Sequence, residues 1–273
     1  MSECVNKFFI FDNDKKPCEE FDDNLLKCGK SLYEVIRIID GKPLFLQRHL
    51  ERLKNSAKLT NLNIWFSEDD LKNKIYELVR INDTKIGNIK IIFKFGETNI
   101  FLAYFVKHHY PNEDEYRNGV KTILYHGERE NPNAKIINLS FREAVNKEIE
   151  EKNAYEAILV NKKGNITEGS KSNIFMIKNG KVLTAPLIDV LPGVTRGVVI
   201  ELCSKIGLQV LEKNVDYMSI KDLDGLFISG TSTKILPIGR VDDIKFNSAS
   251  NKVVLELMKK YDEISKEDIG NFS

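Results

Sequence analysis

The chain has 273 residues, 42% hydrophobic and 30% charged, and 41 Lys+Arg against 40 Asp+Glu leave a net charge of +1. That length and balance suit one large or two modest globular domains, and exclude the strongly basic surface that a nucleic acid or an anionic membrane requires of its partner. No apolar run is long enough to span a bilayer, and the start, Met1-Ser2-Glu3-Cys4, has no basic region followed by an apolar one, so a cytoplasmic location is expected.

Phe8-Phe9-Ile10-Phe11 reads as a short strand, followed by a polar loop through Pro17. Ser31 to Ile39 is rich in β-branched and aromatic residues, and Asp40-Gly41 supplies a turn suited to positive φ. Leu44-Phe45-Leu46 returns as a strand. A helix is expected from Gln47 to Leu59, with Leu50, Leu53 and Ala57 on one face. It carries Arg52, whose planar guanidinium could bind two phosphate oxygens and stay charged when partly buried. The alternative is a surface arginine paired with Glu51 or with nothing. His49 reads as an orienting or packing residue. Ser67 caps a second helix that runs to Arg80, with Glu68, Asp69 and Asp70 in its first turn.

Asn88 to Phe95 and Ile100 to Val106 read as a β-pair that ends in Lys107-His108-His109. Adjacent strand residues face opposite ways, and no carboxylate or cysteine cluster completes a site, so no metal is expected there. A cationic lip for a carboxylate substrate is the other reading. Cys4, Cys18, Cys28 and Cys203 show no Cys-x-x-Cys spacing and read as free thiols. Tyr110 to Gly119, with Pro111 and several charges, is the candidate linker.

Val120 to Tyr125 should be a strand, and the polar loop Gly127 to Asn133 then delivers Lys135. A lysine amine can condense with an aldehyde when burial or nearby cations lower its pKa, and Ala134, Ile136 and Ile137 offer apolar flanks. A helix-like run, Phe141 to Ile149, and a strand, Ala154 to Val160, follow. The turn Lys163-Gly164-Asn165 leads to Thr167-Glu168-Gly169-Ser170-Lys171-Ser172-Asn173. Leu191-Pro192-Gly193-Val194-Thr195-Arg196 precedes an apolar helix, Val198 to Ile206; amides at a helix start bind anions, and Thr195 adds a hydroxyl. Phe227 to Pro237 is a strand that ends in Gly230-Thr231-Ser232-Thr233, a turn able to present amides and hydroxyls to oxyanions. A last helix is expected from Ser250 to Tyr261, packed on the second domain.

These segments stand in one order: Tyr33-Glu34-Val35, His49-Leu50-Glu51-Arg52-Leu53, Lys135, Thr167-Glu168-Gly169, Leu191 to Arg196, and Gly230 to Thr233. In that order the chain resembles the fold-type IV pyridoxal-phosphate enzymes, the group holding branched-chain and D-amino-acid aminotransferases and aminodeoxychorismate lyase. The resemblance implies an α+β, two-domain fold. A small α/β domain would occupy residues 1–112 and a linker 113–119. A larger cofactor-binding domain, with a β-barrel-like sheet and flanking helices, would occupy 120–273.

The resemblance also implies pyridoxal 5′-phosphate as cofactor and a homodimer as the assembly. Lys135 would form the Schiff base, and Glu168 would hold the pyridine nitrogen. Arg52, Val194, Thr195 and Thr231 would hold the phosphate. Tyr33, Ser232 and His109 would face the substrate. Lys234 departs from the pattern, because the family usually has glutamate there. The branched-chain enzymes tend to carry Arg-Pro-Leu where this chain has Lys90-Ile91-Ile92, and a tyrosine where it has Ser140. The expected activity is amino transfer between a small amino acid and a 2-oxo acid, in ping-pong order. A lyase that eliminates pyruvate to give 4-aminobenzoate is the alternative, and a non-catalytic pseudo-enzyme is the third reading.

Overall fold

The computed structural model describes residues 2–26 and 29–270, so the expected free thiol of Cys28 lies outside the described residues. Cys4, Cys18 and Cys203 are free thiols. Contacts divide the chain into two units. The first takes Met1–His109, Ala134–Ile137 and Ser265–Ser273; the second takes Tyr110–Asn133 and Asn138–Ile264.

The first unit contains β1 (Cys4–Phe11), β2 (Asp14–Pro17), β3 (Lys30–Ile39), β4 (Lys42–Pro43), α1 (Leu46–Thr60), α2 (Glu68–Asn82), β5 (Gly87–Phe95) and β6 (Ile100–Val106). Its antiparallel sheet runs β2-β1-β6-β5-β3-β4. Alternation decides the two faces. Leu32, Phe93 and Phe101 join the core beneath α1 and α2, while their neighbours Tyr33, Ile92 and Leu102 join a second cluster. Asp40 and Gly41, at φ +51° and +74°, make the tight turn between β3 and β4. Ser67 and Asp70 close a reciprocal cap on α2.

Two local readings change. Asp14–Pro17, read as loop, pairs with Phe8–Phe11 as the outermost strand, a position where charges and proline are tolerated. The strand expected at Leu44-Phe45-Leu46 does not form. Phe45 takes φ +52° at the N-cap of α1, and its amide donates to Asp268 Oδ2 at 2.7 Å.

The second unit contains α3 (Glu113–Asn118), β7 (Val120–His126), α4 (Leu139–Glu151), β8 (Glu156–Val160), β9 (Ile166–Gly169), β10 (Asn173–Lys178), β11 (Lys181–Thr184), α5 (Val194–Lys205), β12 (Val210–Glu212), β13 (Gly225–Gly230), β14 (Lys234–Val241) and β15 (Ile244–Lys245). The last helix, α6, spans Lys252–Gly270, and its residues through Ile264 belong here. Strands pair in the order β10-β13-β14-β7-β8-β9, and β9 pairs back onto β10, so six strands form a closed ring. The barrel-like sheet is therefore real, and it encloses Ile158, Ile166, Ile174, Met176, Leu226, Ile228, Leu236 and Ile238. The closing pair is Glu168 with Asn173. The segment read as a linker holds α3, capped by Asn112 and Glu115. No helix among the described residues is long and apolar enough to cross a membrane.

Candidate active site

In the first unit, Lys135 lies on a short extended segment that adds to β3. Tyr33 N donates to Lys135 O at 3.2 Å, Ile137 N donates to Ser31 O at 3.2 Å, and Leu32 bridges Ile136. Lys135 N in turn donates to the Ser56 hydroxyl of α1 at 3.2 Å. The backbone on both sides of the side chain is thus held, while the chain itself stays half-buried. Its ammonium sits 4.7 Å from the Tyr33 ring centroid. A second ammonium, Lys90 Nζ, lies 5.5 Å from the same ring. Lys90 is bound to Glu3 Oε1 at 2.6 Å.

Arg52 is one turn before Ser56 and is buried. It donates from Nε to Glu34 Oε1 at 2.7 Å and from Nη2 to Oε2 at 2.6 Å, while His49 Nδ1 stands 2.9 Å from Oε2. Burial alone would raise the Glu34 carboxyl. The Arg52 charge and the hydrogen bonds from Arg52 and His49 outweigh it and hold the group down to about 2. Burial also pushes the His49 imidazole below its ordinary range, with Arg52 and Lys135 acting the same way and Glu34 opposing them. The Nε–Nη2 edge of Arg52 is thereby committed to Glu34. In the sequence Glu34 stands out only as part of the Tyr33-Glu34-Val35 motif. Its signal is a carboxylate flanked by Leu32, Tyr33, Val35 and Ile36, which must find a cation when buried.

In the second unit, Glu168 stands at the ring closure with its side chain 3% exposed, and Arg129 Nε lies 3.3 Å from its Oε1. Leu191 N donates to Glu168 Oε2 at 3.1 Å. That bond ties the glutamate to the segment leading into α5. The sequence placed this helix from Val198; it begins at Val194, with Gly193 as N-cap. Val194 and Thr195 are therefore its first-turn residues. Glycine brings no side-chain oxygen to cap the first amides, which leaves them for an anion. A Cβ at Gly193 would stand 2.0 Å from Asn173 Oδ1, and Asn173 Nδ2 donates to Leu191 O at 2.9 Å.

The turn Thr231-Ser232-Thr233 leaves β13 half-buried, and Tyr116 donates its hydroxyl to Thr233 O at 3.1 Å. Lys234 takes φ +53° and binds Asp262 Oδ1 of α6 at 2.6 Å. The charge that departs from the family pattern is thus paired locally. His109 lies exposed in the loop after β6.

The second-unit residues fit a phosphate on an aromatic ring. Ser229 Oγ and Thr233 Oγ1, on either side of Gly230-Thr231-Ser232, are buried hydroxyls without a hydrogen-bond partner among the described residues. Together with the uncapped α5 amides they form a neutral donor set of the kind a phosphate dianion satisfies. Arg129, the partner of Glu168, lies in a segment that reads in the sequence only as a polar loop. Nothing in its flanks, Glu128 and Glu130, marks it out.

The sequence profile described as Amino-transferase class IV matches residues 31–241. A D-alanine aminotransferase of Bacillus licheniformis is 32% identical over 236 residues, covering 82% of this chain and 83% of the relative. A putative branched-chain-amino-acid aminotransferase of Methanocaldococcus jannaschii is 30% identical over 281 residues, covering 96% and 94%. The solved branched-chain amino acid aminotransferase of Escherichia coli superposes with a TM-score of 0.87 at 23% identity, over 97% of this chain and 96% of that one. With its motifs inside the matched span and its relatives similar along most of their length, the chain belongs to the class IV aminotransferase family.

Proposed function

We propose that the chain transfers an amino group from a small amino acid to a 2-oxo acid in ping-pong order, with the residues named above in their separate roles. As a member of its family it is a pyridoxal-phosphate-dependent transaminase. One observation carries the assignment of roles. Both groups that the chemistry requires are present and held by partners: Lys135 by β3 and Ser56, Glu168 by Arg129 and Leu191.

When bound, the cofactor supplies a ring that takes up the electron pair released at the substrate α-carbon. Lys135 Nζ would hold the group covalently and, once freed, would carry the α-proton of the substrate. Glu168 would meet the ring nitrogen with its carboxylate, whose direction Arg129 and Leu191 N fix. On the family resemblance, the α5 amides of Val194 and Thr195, the Thr195 hydroxyl, Thr231 and Arg52 would hold the phosphate, while Tyr33, Ser232 and His109 would face the substrate. The Tyr33 ring, packed against the Lys135 amine, restricts the directions the amine can take.

The relatives named for D-alanine and branched-chain amino acids support a small or aliphatic donor. The test is a screen of amino donors of both configurations, with pyruvate and 2-oxoglutarate as acceptors, run beside an aminodeoxychorismate lyase assay. Amino transfer with release of an oxo acid is the expected result. Pyruvate elimination without transfer would replace this reading with the lyase.

We also propose that the protein is a homodimer, on the family resemblance. Light scattering at micromolar concentration should give twice the chain mass, and a monomer mass would count against it.

A further inference from the structure

Glu156 opens β8, whose remaining residues are Ala-Ile-Leu-Val, and the whole strand is buried. A carboxylate that is 4% exposed has lost nearly all its water and must be compensated by donors. Glu156 receives five, all neutral. Oε1 accepts from Ala157 N at 2.9 Å, Ser170 N at 3.2 Å and Ser170 Oγ at 2.5 Å. Oε2 accepts from Lys171 N at 3.1 Å and Ser172 Oγ at 3.0 Å.

Four of these five donors come from Ser170, Lys171 and Ser172, the turn that separates Glu168-Gly169 from Asn173. The turn is wrapped closely around the carboxylate. A Cβ at Gly169 would stand 2.1 Å from Ser172 Oγ and 3.3 Å from Glu156 Cδ. Gly169 N also donates across the turn to Ser172 O at 2.8 Å. Ser170 is gripped from its other side as well, since Arg129 Nη2 donates to its carbonyl at 2.6 Å while Arg129 Nε faces Glu168. Glu156 therefore fixes the residue that fixes Arg129, and Arg129 faces the carboxylate of Glu168.

We propose that Glu156 is a positioning residue for the cofactor: by holding the Ser170–Ser172 turn it sets where the Glu168 carboxylate stands. This rests on the reading of Glu168 as the partner of the ring nitrogen. A hydrogen bond to a ring nitrogen tolerates misplacement of only about 0.5 Å before it weakens, so a turn that shifts by that amount is felt at the cofactor.

The experiment compares Glu156→Gln and Glu168→Gln with the parent protein. The readouts are cofactor affinity of the apoprotein by absorbance titration, the pH profile of the bound cofactor's absorbance band, and the melting temperature of the apoprotein. Glutamine keeps the size of Glu156 but turns an amide NH₂ toward donors that need an acceptor. Partners that orient a liganding group commonly carry about tenfold in affinity, so a weakening of about tenfold is expected. The pH profile should move in the direction seen for Glu168→Gln, by a smaller amount.

Should Glu156→Gln fail to fold, Ser170→Ala leaves the carboxylate in place and removes one hydroxyl from the shared residue. It should move the pH profile in the same direction. A lowered melting temperature with affinity and pH profile unchanged, in Glu156→Gln or in Ser170→Ala when that variant must decide, would make Glu156 a ring-closing residue only and overturn the proposal. A Glu168→Gln protein with parental affinity and pH profile would instead overturn the ring-nitrogen reading, and the positioning role with it.

Discussion

Lys135→Ala is expected to lose turnover by about four orders of magnitude or more, since a positioned proton carrier alone is worth roughly 10²- to 10⁴-fold and the covalent hold on the cofactor goes with it. The absorbance band of the attached cofactor should vanish. The fold should survive, because the bonds that place this segment use only the main chain of Lys135: Lys135 N to Ser56 Oγ and Tyr33 N to Lys135 O. Lys90→Ala is the informative comparison. Its ammonium lies against the same tyrosine ring but is bound to Glu3, so the cofactor band should persist there. A small primary amine added to Lys135→Ala should restore part of the rate. A parental spectrum in Lys135→Ala would end the assignment.

Arg52→Ala is expected to act twice. Removing one partner of a buried ion pair typically costs about 3–5 kcal/mol, because the other charge is left without compensation. Here that charge is Glu34, fully buried with His49 as its remaining side-chain partner among the described contacts. Separately, loss of a single charge-assisted phosphate contact worth about 1.5–3 kcal/mol should weaken cofactor binding by roughly 10- to 150-fold. The double variant Arg52→Ala with Glu34→Gln separates the two effects. It removes the stranded charge and should recover much of the stability, but not the cofactor affinity. Arg52→Lys should recover only part of either, since an ammonium cannot reproduce the fork. Parental affinity in the double variant would make Arg52 a structural partner of Glu34 and nothing more.

The same pair fixes an acid limit. The folded-state carboxyl of Glu34, at about 2, lies below its ordinary 4.5, so its stabilisation is fully present above 4.5 and is lost as pH falls through 2. The total is on the order of 3 kcal/mol. His49 is also depressed from its ordinary 6.5, so the fold begins to lose stability as pH drops below 6.5, where only the unfolded imidazole takes a proton. Acid unfolding of the parent should therefore be graded from pH 6.5 downward and steepen below 4.5. Arg52→Ala should lose the steeper part.

Legibility in the sequence followed the range of the interaction. β3, β5 and β6 could be read because alternation and β-branched residues are local signals, and Ser67 announces α2 within one turn. The six motif segments put the candidate residues in order. The start of α5 was hidden because Pro192-Gly193 reads as a break, when it is the cap that admits Val194 and Thr195 to the first turn. Asp14–Pro17 became a strand only because Phe8–Phe11 offered a ladder. The partners Glu34, Arg129 and Glu156 were harder still. Each is identified by what it touches, 18 residues away for Glu34 and Arg52 and 41 for Arg129 and Ser170.

The ring of the second unit sets a condition on synthesis. Its seam between β7 and β14 is parallel, and Thr122 Oγ1 donates to Arg240 O, 118 residues later. A nascent chain that has emerged only through β13 has every strand of the ring except the one that joins the two ends, with β7 and β13 both presenting unpaired amides and carbonyls. Until β14 leaves the ribosome those open edges can pair with other chains, and such long-range closure is the slow kind. The codons for β14 therefore decide when the earlier strands are sheltered, and clustered slow codons ahead of Lys234 would lengthen the exposed interval.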